Sequence, residues 1–314
     1  MIYFYLTAAV LLGWALGAND SANCFGTAVV THVIKYGWAV SLTAVLVAVG
    51  ACMEGSAGIE KIGEYAAING IATGLQAFIV MGAAAVTVVA MTFFKLPVST
   101  SQAVVGAIIG SGLTIGRFDI KETLPFFGAW FATPLGAMAI GYILYSLMSN
   151  HVQKRINNIE LFDRFIKIGF ILSGAFSAYA LGANNVANVS AVFVGRIDSF
   201  SVSHAVVLGG ISIAFGALTY SKPVMMTVGK GIVPLNPVSG FISVLSAALV
   251  VYFYAQVGIP VSTSQAIVGA VFGIGLVKGM QTVNFKVIRN IVLAWFGTPS
   301  IAGLISFVLL KIAG

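Results

Sequence analysis

The sequence predicts an all-α polytopic membrane protein, built as two inverted repeats with broken or re-entrant helices around a central site. Three observations predict it. First, 59% of the 314 residues are hydrophobic and only 8% charged, where soluble domains carry roughly 25% charged residues; the mean hydropathy is +1.01. Second, Asp, Glu, Lys and Arg are absent from Tyr65 to Phe94, Thr123 to Gln153, Ile168 to Gly195 and Gly231 to Val277. A helical span needs about 20 apolar residues, and the last window is long enough for two. Third, three motifs recur in the same order. GANDSAN at Gly17 returns as GANNVAN at Gly182, 165 positions on; PVSTSQ at Pro97 returns at Pro260, 163 on; AWFATP at Ala129 returns as AWFGTP at Ala294, again 165 on.

The first half divides into segments 1–34, 37–58, 66–94, 96–116 and 123–149. The N-terminus, MIYFYLTAAVLLGWALG, lacks the basic region of a secretory signal and reads as a retained first helix. Gly17 permits a break in it at the GAND motif. The segment opening at 96 carries PVSTSQ, and its hydropathy fits a full crossing or a re-entrant hairpin equally. The second half gives 165–195, 199–221, 232–257, 259–277 and 290–312. The expected division is therefore a first repeat over 1–149, a basic connector over 150–164 and a second repeat over 165–314. Lys154, Arg155, Arg164 and Lys167 outweigh Glu160 and Asp163 around the connector, which places it in the cytoplasm. No charged side chain precedes Asp20, so the N-terminus crosses cheaply to the outside. The first half then crosses an odd number of times and the second is inverted relative to it, a recurrent transporter plan. The 36 glycines suit close helix packing in lipid.

Other classes are excluded by what is missing. Cys24 and Cys52 have no disulfide or metal spacing and read as packing residues. The three histidines form no cluster, and the net charge of +7 comes without a Lys/Arg run, so nucleic acid is not a partner. No nucleophile–base spacing points to an enzyme.

The repeated polar motifs carry the chemistry. In PVSTSQ, proline suits a helix start, and Ser99 with Gln102, like Ser262 with Gln265, fits a capping box. Both stretches read as helix N-termini, whose free N–H groups and partial positive charge suit an oxyanion; the plainer reading is that the hydroxyls only cap. Thr100, Ser101, Thr263 and Ser264 add hydroxyl donors. In the GAND copies, Asn19, Asp20 and Asn23 are matched by Asn184, Asn185 and Asn188. Asp20 is the only acidic residue before Glu54, and an intramembrane carboxylate is a functional candidate; its plainer reading is a helix cap at the membrane surface. Carboxylate and amide oxygens make a hard-cation site. Together the motifs have the electrostatics of a cation-coupled anion symporter. Glu54 and Lys222, at unmatched positions, are expected to snorkel to an interface.

GANDSANCFGTAV, GANNVANVSAV and the paired PVSTSQ stretches resemble the inorganic phosphate transporter (PiT) family over nearly the whole chain. The resemblance implies uptake of inorganic phosphate driven by sodium or protons, across a cell membrane that the chain spans many times, with the lipid bilayer as solvent and a homodimer as the assembly. It implies substrate ligands at Asn23, Ser99, Thr100, Ser101, Gln102, Asn188, Ser262, Thr263, Ser264 and Gln265. It implies cation ligands at Asn19, Asp20, Asn23, Asn184, Asn185 and Asn188. One position departs from the family pattern: Asn185 stands where the second motif usually has Asp, and an amide brings no charge. A sulfate permease of the same fold and an anion channel are the alternatives, since sulfate also sits well on helix N-termini.

Overall fold

The computed structural model describes residues 2–93, 98–149, 158–228, 236–279 and 285–313. Pro97 and the connector residues 150–157, with Lys154 and Arg155, lie outside that set. The described residues form thirteen α-helices and no strand. The first half contains α1 (Ile2–Asp20), α2 (Ala22–Val30), α3 (Tyr36–Glu54), α4 (Ser56–Ile68), α5 (Gly74–Phe93), α6 (Thr100–Thr114) and α7 (Ile120–Leu147). The second contains α8 (Ile159–Ser190), followed by one 3-10 turn (Ala191–Phe193), then α9 (Val202–Tyr220), α10 (Lys222–Val228), α11 (Pro237–Val257), α12 (Thr263–Lys278) and α13 (Phe285–Ala313). Seven of these elements are long and apolar enough to cross a bilayer. Helices satisfy their own backbone, the condition for crossing hydrocarbon.

The expected interruption of the first segment at the GAND motif is present, at Ser21 rather than at Gly17. Helix α1 runs through Gly17 and ends at Asp20, and α2 begins at Ala22 after a one-residue discontinuity at Ser21. In the second copy α8 continues unbroken from Ile159 through the motif to Ser190. The glycines serve packing instead: a Cβ on Gly17 would overlap the Ile213 carbonyl, and one on Gly182 would overlap the Val47 carbonyl. Segment 37–58 is likewise two elements, with the chain turning at Gly55 into α4. Helix α4 buries Ile59, Ile62, Tyr65 and Ala66 and exposes Glu60 and Glu64, an amphipathic spacing that a search for long apolar runs passes over.

The two halves pack into each other. Helix α1 lies chiefly on α9 and α8 on α3, while α7 lies on α12 and α6 on α13. Each contact has its image. Gly50 faces the Tyr179 carbonyl as Gly216 faces that of Trp14, and Gly106 faces the Pro299 carbonyl as Gly269 faces that of Pro134. In lipid the apolar effect does not drive helices together, so backbone contact through small residues does. The sequence repeat is therefore also a repeat of packing, with the helices of one half seated on counterparts from the other.

The third motif explains part of this seating. Pro134 lies inside α7 and Pro299 inside α13, where proline withdraws a backbone donor. Beside each, a threonine hydroxyl donates one turn back, Thr133 to the Ala129 carbonyl and Thr298 to that of Ala294, both at 2.7 Å. These two helices carry α12 and α6, which open on the TSQ of the two PVSTSQ stretches. Glu54, expected to snorkel, is instead tied down at the end of α3: it accepts from Tyr179 at 2.7 Å, from Tyr252 at 3.3 Å and from the Gln256 amide. Lys222 is exposed, with its ammonium 5.6 Å from the centre of the Tyr36 ring.

Candidate functional site

The PVSTSQ stretches do start helices, and they start them inside the protein. Ser99 has extended backbone and its hydroxyl accepts from the Gln102 N–H at 3.3 Å; Ser262 accepts from the Gln265 N–H at 3.2 Å. Ser99, Thr100, Ser101 and Gln102 are all buried, as are Ser262, Thr263, Ser264 and Gln265. Only half of the expected capping box forms. The side-chain oxygens of Gln102 and Gln265 do not return to the cap and have no partner, so each amide is left to accept from, or ligate, something else.

The first asparagine of each GAND copy braces the approach to the helix start of its own half. Asn19 accepts from the Val98 N–H at 3.4 Å and donates to Thr92 Oγ1 at 3.2 Å. Asn184 accepts from the Val261 N–H at 3.3 Å and donates to the Val261 carbonyl at 2.9 Å. Val98 and Val261 directly precede the capping serines, so both braces fix where a helix N-terminus points. No sequence signal identified Thr92, one of two threonines in an apolar helix.

The remaining polar residues of the first motif, Asp20 and Asn23, reach across to the other half. Ser264 donates to Asp20 Oδ1 at 3.4 Å. The Asn23 amide lies 3.3 Å from both Thr263 Oγ1 and Ser264 Oγ. Asp20 is 2% exposed, which removes the reading of a helix cap at the membrane surface. In the second copy, Asn188 donates to Asn185 Oδ1 at 3.0 Å, and α8, which carries both, packs against α6. Asn185 and Asn188 are fully buried.

Among the described residues, eleven buried side-chain polar atoms have no partner. Seven lie in these two motif pairs: Ser21 Oγ, Asn23 Oδ1, Thr100 Oγ1, Gln102 Oε1, Asn185 Nδ2, Asn188 Oδ1 and Gln265 Oε1. Buried polar groups are normally satisfied, and leaving one bare costs about 1–3 kcal/mol. Such a concentration makes this a candidate ligand site. Its oxygens, led by the Asp20 carboxylate, match a hard cation. Its hydroxyls, free amide N–H and two buried helix N-termini match an oxyanion. Neither motif contains Lys or Arg, so the motifs bring no cationic side chain to the site.

Known proteins resemble this chain over nearly its whole length. The family model described as Phosphate transporter family matches residues 16–306. A Methanocaldococcus jannaschii protein named putative phosphate permease MJ0630 is 30% identical, over 98% of this chain and 95% of its own length. Putative phosphate permease PF1020 of Pyrococcus furiosus is 28% identical, over 98% of this chain and 95% of its own. A solved structure titled "The sodium-dependent phosphate transporter" superposes with a TM-score of 0.83, covering 99% of each chain at 24% identity, which bears on the fold.

Proposed function

Since this chain belongs to the phosphate transporter family, we propose that it takes up inorganic phosphate together with a coupling cation, sodium, across the cell membrane. The observation that supports the coupling is the meeting of Asp20 with Ser264 at a buried helix start. There, acceptor oxygens for a cation and donors for an anion share one dehydrated space. Phosphate enters on the N-termini of α6 and α12, with the hydroxyls of Thr100, Ser101, Thr263 and Ser264 as further donors. Sodium sits on the Asp20 carboxylate with the amide oxygens around it. Each ion offsets the other's charge, so neither is stripped of water alone, and that makes their binding cooperative. Asn19 and Asn184 act as braces for the helix starts.

The reading extends to the assembly. The reciprocal packing of the halves supports two repeats, 1–149 and 165–314, joined by a connector over 150–164 and inverted relative to each other. Alternating access is then a rocking of paired helices about a fixed central site. Two protomers form the homodimer.

Reconstitution tests the coupling. Proteoliposomes with an inward sodium gradient should concentrate labelled phosphate above equilibrium, and potassium in place of sodium should abolish it. Accumulation that ignores sodium but collapses with a protonophore would reassign the coupling ion to the proton. Uptake that only equilibrates, whatever the gradient, would make the protein a channel.

A further inference from the structure

The two motif copies do not hold their polar atoms in the same way. In the first, the Asn23 amide N–H group faces hydroxyls of the opposite helix start, Thr263 and Ser264, and what is left bare is oxygen: Ser21 Oγ, Asn23 Oδ1 and Gln265 Oε1. Asp20 adds a carboxylate to that set. The repeat relation maps Asn23 onto Asn188 and Thr263 onto Thr100. In the second copy, however, the Asn188 amide is turned onto Asn185 Oδ1. That leaves Thr100 Oγ1 without its counterpart contact; Gln102 Oε1 and Asn188 Oδ1 are bare as well, and Asn185 Nδ2, on a side chain 1% exposed, is a bare donor. The same relation that sets Asp20 against Ser264 maps Asn185 onto the start of α6, where Ser101 is the counterpart and Thr100 its neighbour.

We propose that Asn185 is a ligand of the anion: its Nδ2 and the Thr100 hydroxyl donate to phosphate, while the cation is held on the other side by Asp20, Asn23 Oδ1 and Gln265 Oε1. Among the seven bare atoms of the two motif pairs, Asn185 Nδ2 is the only amide nitrogen, a donor with no acceptor capacity, whereas the bare amide oxygens suit the cation. This rests on the symport reading above and goes beyond it by assigning a side to each ion. An amide suits the anion side because it donates without bringing negative charge, whereas a carboxylate there repels the phosphate. The hydrogen bond from Asn188 engages the Asn185 oxygen and so leaves the N–H group of that amide to donate elsewhere. Asn188 is thus a positioning residue for the donor.

The test uses the full-length protein in lipid nanodiscs, titrating phosphate at saturating sodium and sodium at saturating phosphate. Asn185→Leu removes the donor and adds no charge; a hydrogen bond to a charged group corresponds to about tenfold or more in phosphate affinity, and that loss is expected with the sodium midpoint unmoved. Asn185→Asp should weaken phosphate at least as much, because the new charge faces an anion. Asn188 can still donate to the carboxylate of that variant, so its folding is not at risk from this contact. Thr100→Ala should lower phosphate affinity in the same direction. Phosphate affinity retained in Asn185→Leu, or tighter sodium binding with unchanged phosphate in Asn185→Asp, would overturn the assignment and put position 185 with the cation. Wild-type protein that binds no phosphate in sodium would instead overturn the transport reading, before any variant is compared.

Discussion

Ser264 and Asp20 lie 244 positions apart in the chain, yet the serine hydroxyl donates to the aspartate at 3.4 Å. A side chain from the first motif of one half is thereby attached to the helix start of the other. Whatever binds between them senses both halves at once, which is the condition for coupling two ions through one movement.

The first prediction follows from that contact. Asp20→Asn keeps an oxygen for the Ser264 hydroxyl but removes the only carboxylate of the two GAND copies. The variant should fold, and sodium-driven accumulation of phosphate in proteoliposomes should be lost. Accumulation with wild-type sodium dependence would take Asp20 out of the cation site.

The second concerns the paired helix starts. Ser101 and Ser264 occupy matching positions and are both fully buried. The double variant Ser101→Ala/Ser264→Ala should weaken phosphate binding by about 3–6 kcal/mol, taking about 1.5–3 kcal/mol for each hydrogen bond to a charged group. Calorimetric titration of folded protein reads this directly, and an unchanged affinity would remove the hydroxyls from the anion.

The third separates glycines that touch backbone from those that do not. Gly17→Ala places a methyl on the Ile213 carbonyl, where no flexible side chain can yield. Overpacking of this kind costs about 1–3 kcal/mol, so the melting temperature should drop. Nothing lies within 4 Å of a Cβ on Gly82, in the middle of α5, and Gly82→Ala should be neutral or stabilising by about 0.5 kcal/mol. Thermal unfolding of both variants in one detergent makes the comparison.

The fourth addresses Glu54. Tyr179→Phe removes the 2.7 Å donor from α8 while Tyr252 and Gln256 remain. A modest loss of stability is expected, about 1 kcal/mol in this half-exposed setting. Phosphate affinity should stay at the wild-type value, because the contact ties α3 to α8 and meets none of the two motif pairs.

The helical membrane architecture was readable because hydrocarbon demands long charge-free runs, and the duplication was readable because it kept its register in sequence. The helix starts at Ser99 and Ser262 followed from local capping chemistry. What escaped depended on distance in the chain. Gly17 looks like a hinge in isolation; only the Ile213 carbonyl, supplied by the other half, shows it to be a contact surface. Glu54 looked isolated because its three donors come from α8 and α11. Helix α4 was passed over because its apolar residues are spaced rather than continuous. The half-formed capping boxes could not be foreseen either, since whether a glutamine folds back on its cap depends on what else is there to receive its oxygen.

The interleaving of the halves bears on how the protein is made. Helices α1, α3, α6 and α7 each find their most extensive partner among α8, α9, α12 and α13. During synthesis the early helices must therefore wait in the bilayer, glycine faces uncovered, until the ribosome delivers the late ones. Membrane insertion and folding are separated in time, and the chain is at its most vulnerable to membrane quality control just before α8 emerges. The same dependence means that two separately translated halves carry the information to find each other. Co-expressed as fragments split within the connector, they should reassemble, whereas either fragment alone should be degraded.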